Sequence, residues 1–174
     1  TLRARHDDLL LVLVPRHPER FSAVRDLVRK RGFAVVSRTE DKAAGGAAVF
    51  LCDTMGEVPL FYAASDIAFV AGSLVPIGGH NLLEPAALGI PVVTGPHNFN
   101  AQDIADLFIQ MGACRRVGGP EELADTISEL LTNPDEAASL GQAGEKVLAD
   151  NRGALKRLLV LLEPLLNDAA VTGP

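Results

Sequence analysis

The chain has 174 residues, 48% of them hydrophobic and 22% charged, with 16 basic against 22 acidic side chains and a net charge of -6. That length makes one ordinary domain with a substantial core, and that composition excludes disorder and coiled coil. The acidic balance, without any run of Lys and Arg, excludes a nucleic-acid-binding stripe, so a phosphate has to be held locally by helix N-termini and a few placed side chains.

In chain order, Thr1–Asp8 is charged and lacks the apolar stretch of a signal peptide. Leu9–Val14 is a continuous apolar run ended by Pro15, the pattern of a central strand buried on both faces. Phe21, Val24, Leu27 and Val28 are spaced helically within 18–31, and Gly32 is the stop. Phe33–Val36 is a second strand, Ser37–Ala48 a polar Gly-rich loop, and Val49–Cys52 a third strand. A short helix over Glu57–Ala64 and a fourth strand, Ile67–Val70, follow. The loop through Gly78 and Gly79 leads into a helix expected from Asn81 to Leu88, stopped at Gly89. Pro91–Thr94 is a fifth strand, Asn100–Met111 a helix and Ala113–Val117 a short sixth strand. From Pro120 onward the spacing predicts helices over 121–131, 135–149 and 152–166.

Strand and helix alternating through short connections predict a parallel α/β sheet covered on both faces, doubly wound and Rossmann-like, in one domain spanning 1–174. The apolar runs are of strand length, so no direct membrane insertion by this chain is expected. Cys52 and Cys114 belong to no CxxC pair and read as reduced thiols of a cytosolic protein. The chain lacks an initial Met and enters its first strand almost at once, which suits either a boundary between domains or removal of the Met alone.

In such a sheet ligands bind beyond the carboxyl ends of the strands. There the unusual residues collect: Pro15–Arg20 after the first strand, Asp53–Glu57 after the third, Gly72–Asn81 after the fourth and Gly95–Asn100 after the fifth. Gly78 and Gly79 allow close backbone approach, and the helix after them points free N–H groups forward. The spacing is neither GxGxxG nor that of a P-loop. The loop reads either as a phosphate cradle or as a turn capped by Asn81, and His80 and Glu84 beside it favour the cradle. Glu84 either complements the helix dipole or binds the vicinal hydroxyls of a ribose. Arg16 is either a phosphate grip or a surface residue. His17, His80 and His97 stand on different loops without a ligand partner at metal spacing, so no metal is expected. No GxSxG elbow is present.

The segments PRHPERF (15–21), DTMGEVPLFYAASDIAFVAGS (53–73) and above all GSLVPIGGHNLLEPAALGIPVVTGPHNFN (72–100) resemble the C-terminal domain of the 3-deoxy-D-manno-octulosonic acid (Kdo) transferases, and the likeness runs from about Leu9 to Leu166. The resemblance implies the C-terminal half of a GT-B glycosyltransferase that moves Kdo from CMP-Kdo to lipid A precursor in lipopolysaccharide biosynthesis. It implies inversion at the sugar and no metal or other cofactor. By the same resemblance Arg16, Gly78, Gly79, His80 and Asn81 hold the CMP phosphate and nearby donor groups, and His17 is counted among the substrate-binding residues without a particular role. Met55 and Gly56 offer backbone contacts to cytosine, Ser73 lines the phosphate pocket, and Glu84 binds the ribose. The acceptor surface, the general base and the membrane anchor at the cytoplasmic face of the inner membrane belong, in this family, to an N-terminal domain. The 174 residues alone are therefore expected to be soluble, catalytically inactive and weak in binding CMP or CMP-Kdo. The 152–166 helix is expected to reach toward that other domain and, without it, to favour self-association.

Other readings stay in view. A UDP-sugar GT-B donor domain shares the Gly-rich loop and the ribose carboxylate. A stand-alone nucleotide-binding module has no partner domain. An NAD-dependent oxidoreductase is rejected because PRHPER stands where GxGxxG is needed.

Overall fold

A computed structural model describes residues 2–152. Among the described residues six short parallel strands and six α-helices follow in the order β1 Leu11–Leu13, α1 Phe21–Lys30, β2 Val35–Ser37, β3 Val49–Leu51, α2 Val58–Ala63, β4 Ala68–Val70, α3 Leu83–Ala86, β5 Val92–Thr94, α4 Gln102–Gln110, β6 Arg115–Arg116, α5 Pro120–Thr132 and α6 Pro134–Asn151. The predicted 152–166 helix lies outside the described residues.

The strands pair as two three-stranded parallel sheets, in the orders β1-β3-β2 and β4-β5-β6. In the first, Val12 stands opposite Phe50 and Phe50 opposite Val36; in the second, Phe69 stands opposite Val93 and Val93 opposite Arg115. The parallel α/β expectation holds. What differs is the place of β1, which is an edge strand with Leu11 51% exposed rather than a central one buried on both faces.

The core follows from β-branched strands under amphipathic helices. Val70, Leu82, Ala86, Val92, Phe108 and Val147 form its largest cluster, around the second sheet. The first sheet has a smaller one of Val28, Ala48 and Val49. Among the described residues the halves meet at α2 with α3 and at the opening turn, Leu2–Ala4, with α5. Beside that turn Arg5 reaches Asp125 at 2.6 Å and the His6 ring meets the Ser128 hydroxyl at 2.8 Å.

Helix α6 starts at Pro134 with Asn133 as cap, its side chain accepting from the Glu136 N–H. It then runs across the back of α3. A Cβ on Gly141 would stand 2.8 Å from the carbonyl carbon of Gly89, and one on Gly144 would stand 3.3 Å from the Ala86 methyl. Small residues on α6 thus set the height of α3, which carries Glu84. Among the described residues no helix is long and apolar enough to cross a membrane.

Candidate functional site

Beyond β4 the chain turns at Gly72 (φ 76°) and passes through Gly78 (φ 108°) and Gly79 (φ 72°), backbone values at which L side chains are strained. The Gly79 N–H returns to the Gly72 carbonyl at 2.9 Å, closing the loop on itself. The β5 loop locks it from the other side. The Asn100 N–H donates to the Gly78 carbonyl at 3.2 Å, and its side-chain amide donates to the Ile77 and Gly79 carbonyls at 3.3 and 3.4 Å. Neighbouring Asn98 is buried, accepting from the Thr94 hydroxyl and donating to the Gly95 carbonyl. The backbone N–H groups of His80 and Asn81 donate to nothing among the described residues. Asn81 is exposed and His80 partly so, which leaves these two amides for an anion to use.

Ser73 has a different place from the one expected. It is fully buried, its hydroxyl donating to the Val70 carbonyl at 2.7 Å and accepting the Gly95 N–H at 2.8 Å. Its carbonyl also takes the His97 N–H at 2.9 Å. It fastens the β4 loop to the β5 loop and has no surface with which to line a pocket.

Arg16 and His17 lie exposed on the loop after β1, and both act electrostatically on His80. Burial first, then the Arg16 and His17 charges, push the His80 imidazole below its ordinary value, opposed by Glu84. Four of the predicted residues therefore share one field: Arg16 and His17 from the first sheet, His80 and Glu84 from the second. Arg16 makes no ion pair or hydrogen bond among the described residues, so its guanidinium is available to an anion.

Helix α3 is shorter than expected, Leu83–Ala86 rather than 81–88. Asn81 shapes its entry, with its side-chain oxygen accepting the Leu83 N–H at 3.0 Å and its amide donating to Glu84 Oε1 at 3.1 Å. A helix of one turn carries little dipole, so the free loop amides and Arg16 are left as the anion donors. Glu84 is exposed, with Oε2 uncommitted. Tyr62, which the sequence did not single out, stands on α2, the helix packed against α3, within the field of Glu84. Burial first, and then the Glu84 charge, push its phenol up.

Met55 is 63% exposed and Gly56, also exposed, takes φ 83°, and both stand in the loop after β3. Asp53 and Glu57, on either side of them, are engaged inside the protein. Asp53 pairs with Arg25 at 2.5 Å and Glu57 with Arg38 at 3.2 Å.

A separate cavity of about 350 Å3 opens at the other end of the first sheet, before β1 and β3, against Arg3, Asp7, Leu10 and Gly46. It is remote from the four loops, and Arg3 there is occupied by the Leu9 and Asp7 carbonyls. Among the described residues no group of three or more His, Cys, Asp and Glu is gathered as metal ligands.

Residues 34–147 match the profile of the family described as glycosyl transferases group 1. The chain is 46% identical over 167 residues to the 3-deoxy-D-manno-octulosonic acid transferase of Haemophilus influenzae, covering 95% of this chain and 39% of that protein. It is 38% identical over 159 residues to the enzyme of the same name from Bordetella pertussis, covering 90% and 37%. The chain thus spans about two fifths of the length of these curated relatives. Among solved structures it resembles the C-terminal CMP-Kdo binding domain of WaaA from Acinetobacter baumannii, with a TM-score of 0.80 and 36% identity over 84% of this chain and 77% of that one.

Proposed function

The chain belongs to the group 1 glycosyl transferases and, among them, to the Kdo transferase family, and from that premise we propose that it binds the donor CMP-Kdo for transfer of Kdo to lipid A precursor. The observation that carries this reading is the shared field of Arg16 and His17 from one sheet with His80 and Glu84 from the other. An anion between them meets a free guanidinium, two unpaired loop amides and a histidine that gains by protonation.

In this reading the donor phosphate lies on the His80 and Asn81 N–H groups and against Arg16, with His17 at its edge. Gly78 and Gly79 let the backbone come close, since any Cβ there would collide with Asn100 or Asn98. Glu84 is steadied on one oxygen by Asn81 and offers the other to the ribose hydroxyls. The backbone of Met55 and Gly56 reads cytosine. Ser73 serves by holding the loops together.

The whole protein acts at the cytoplasmic face of the inner membrane, and the general base for the acceptor hydroxyl comes from an acceptor-binding domain. General-base catalysis requires a group within hydrogen-bond reach of that hydroxyl. None of the site residues above has that role, so the 174 residues by themselves bind donor without transferring it.

Calorimetric titration of the purified protein with CMP, UMP and ADP in the presence of EDTA tests the reading. CMP binding that survives EDTA and is lost in Arg16→Ala and Glu84→Ala is expected. Tighter binding of UMP would replace the donor by a uridine nucleotide sugar, and binding unaffected by either substitution would move the site elsewhere.

A further inference from the structure

The loop that reaches toward the nucleobase is held at both ends by charged side chains, and the two ends are held by different partners. At its entry Asp53 Oδ2 meets Arg25 Nη2 at 2.5 Å and the Thr39 hydroxyl at 2.7 Å, while Oδ1 accepts the Thr39 N–H at 2.9 Å. Arg25 is itself fixed by the Ser37 hydroxyl at 2.9 Å. At its exit Glu57 Oε1 accepts from Arg38 Nε and Nη2 at 3.3 and 3.2 Å, and Oε2 accepts the Thr54 hydroxyl. Arg38 and Thr39 both sit on the turn that follows β2, so the loop after β2 grips the loop after β3 twice.

Between the grips only Met55 and Gly56 are free. Met55 is largely exposed, and a Cβ on Gly56 would meet nothing within 4 Å. By contrast, the loop before β3 closes at 44–47 with one backbone hydrogen bond. The Arg38–Glu57 pair is partly open to solvent, 37% and 27% exposed, and such pairs add little to stability. Its geometric effect is large nonetheless, because it fixes the residue next to Gly56. A backbone edge discriminates bases only when its N–H and C=O are held to a fraction of an ångström before the ligand arrives.

We propose that Arg38 and Glu57 are positioning residues that hold the Met55–Gly56 backbone as a cytosine-reading edge and so set the choice of nucleobase. This rests on the donor-binding reading above. Cytosine presents an N4 donor and an N3 acceptor where uracil presents an O4 acceptor and an N3 donor. A fixed C=O and N–H pair therefore accepts one base and is mispaired twice by the other. A loose edge rotates to suit either.

The test compares Arg38→Met, Glu57→Gln and Arg38→Lys with the wild-type protein by titration with CMP, UMP and ribose 5-phosphate, the last followed by NMR as a probe without a base. Wild type is expected to prefer CMP by tenfold or more. In Arg38→Met and Glu57→Gln that preference falls below about threefold, a loss of roughly 0.7 kcal/mol in discrimination, while ribose 5-phosphate binds within twofold of wild type. Arg38→Lys, which keeps the charge, restores part of the preference. An unchanged CMP-to-UMP ratio overturns the proposal, and so does an equal loss on ribose 5-phosphate, which would mark the pair as structural. Failure of the wild-type protein to bind CMP would instead sink the donor reading itself.

Discussion

The side-chain oxygen of Asn98 lies 2.6 Å from where a Cβ on Gly79 would stand. Asn98 cannot yield, because it is buried and pinned by the Thr94 hydroxyl at 3.0 Å and the Gly95 carbonyl at 2.8 Å. Gly79→Ala therefore combines a strained φ with a collision and is expected to cost roughly 2–4 kcal/mol. Scanning calorimetry should show Tm lowered by about 5–15 °C, with nucleotide binding lost in the same variant. Gly46→Ala bears the strain alone, since a Cβ there meets nothing within 4 Å, and should cost about 1 kcal/mol. Equal small losses would mean that the β5 loop gives way.

Asp53 links acid to unfolding. Burial pushes its carboxyl up, but the Thr39 N–H and hydroxyl, its own backbone N–H and the Arg25 charge together outweigh that and hold it below 3.8. A depressed carboxylate contributes stability that is present above its unfolded value and lost as pH falls through its folded value. The contribution of Asp53 should thus be constant from neutrality down to about pH 5 and vanish over the next few units. Asp53→Asn takes the carboxylate from Arg25, itself 29% exposed, and should cost about 1–2 kcal/mol at pH 7. Urea unfolding at a series of pH values checks this. The gap between wild type and variant must close on acidification, and a pH-independent gap would assign the loss to packing.

The strands were legible in the sequence because buried parallel strands are near-continuous apolar runs, and Val49–Leu51 and Val92–Thr94 need no tertiary information to be found. Their order was not. Leu9–Val14 has the composition of a central strand, and only the pairing of β1 with β3 alone makes it an edge. The glycine loop was legible because positive φ at Gly78 and Gly79 is a local requirement. Ser73 was misplaced for the opposite reason, since its burial depends on Gly95, 22 residues on. The brevity of α3 has a local cause, the Asn81 side chain spending itself on the Leu83 N–H, yet the same residue also reads as an ordinary N-cap. Tyr62 left no signal beyond its place on a short apolar helix.

Burial pushes the Cys114 thiol up to about 12, with Arg116 opposing it only in part. At pH 8 its thiolate fraction is then about a thousandfold below that of a free thiol, and the thiolate is the reactive form. Cys52 is fully buried as well. A disulfide-exchange reagent should therefore label neither cysteine in the native protein over the time that titrates both in denaturant. Prompt labelling of one native thiol would show that its surroundings open far more readily than this packing allows.

His80 should report the phosphate by its proton. Burial first, and then Arg16 and His17, lower its imidazole below 6.5 in the free protein, with Glu84 opposing. Stability present above the unfolded value is accordingly lost as pH falls through the folded value. A bound phosphate reverses the balance, because its negative charge favours the imidazolium and raises the same group. Binding must then take up protons near pH 6.5, and affinity must rise as pH falls from about 8 to about 6. Calorimetry of CMP binding in buffers of different ionisation heat measures the uptake directly. The nucleotide phosphate titrates in the same range, so the decisive quantity is the difference between wild type and His80→Gln. A positive uptake that disappears in His80→Gln puts the imidazole against the phosphate, whereas equal uptake in both proteins would leave the proton on the ligand and remove His80 from the site.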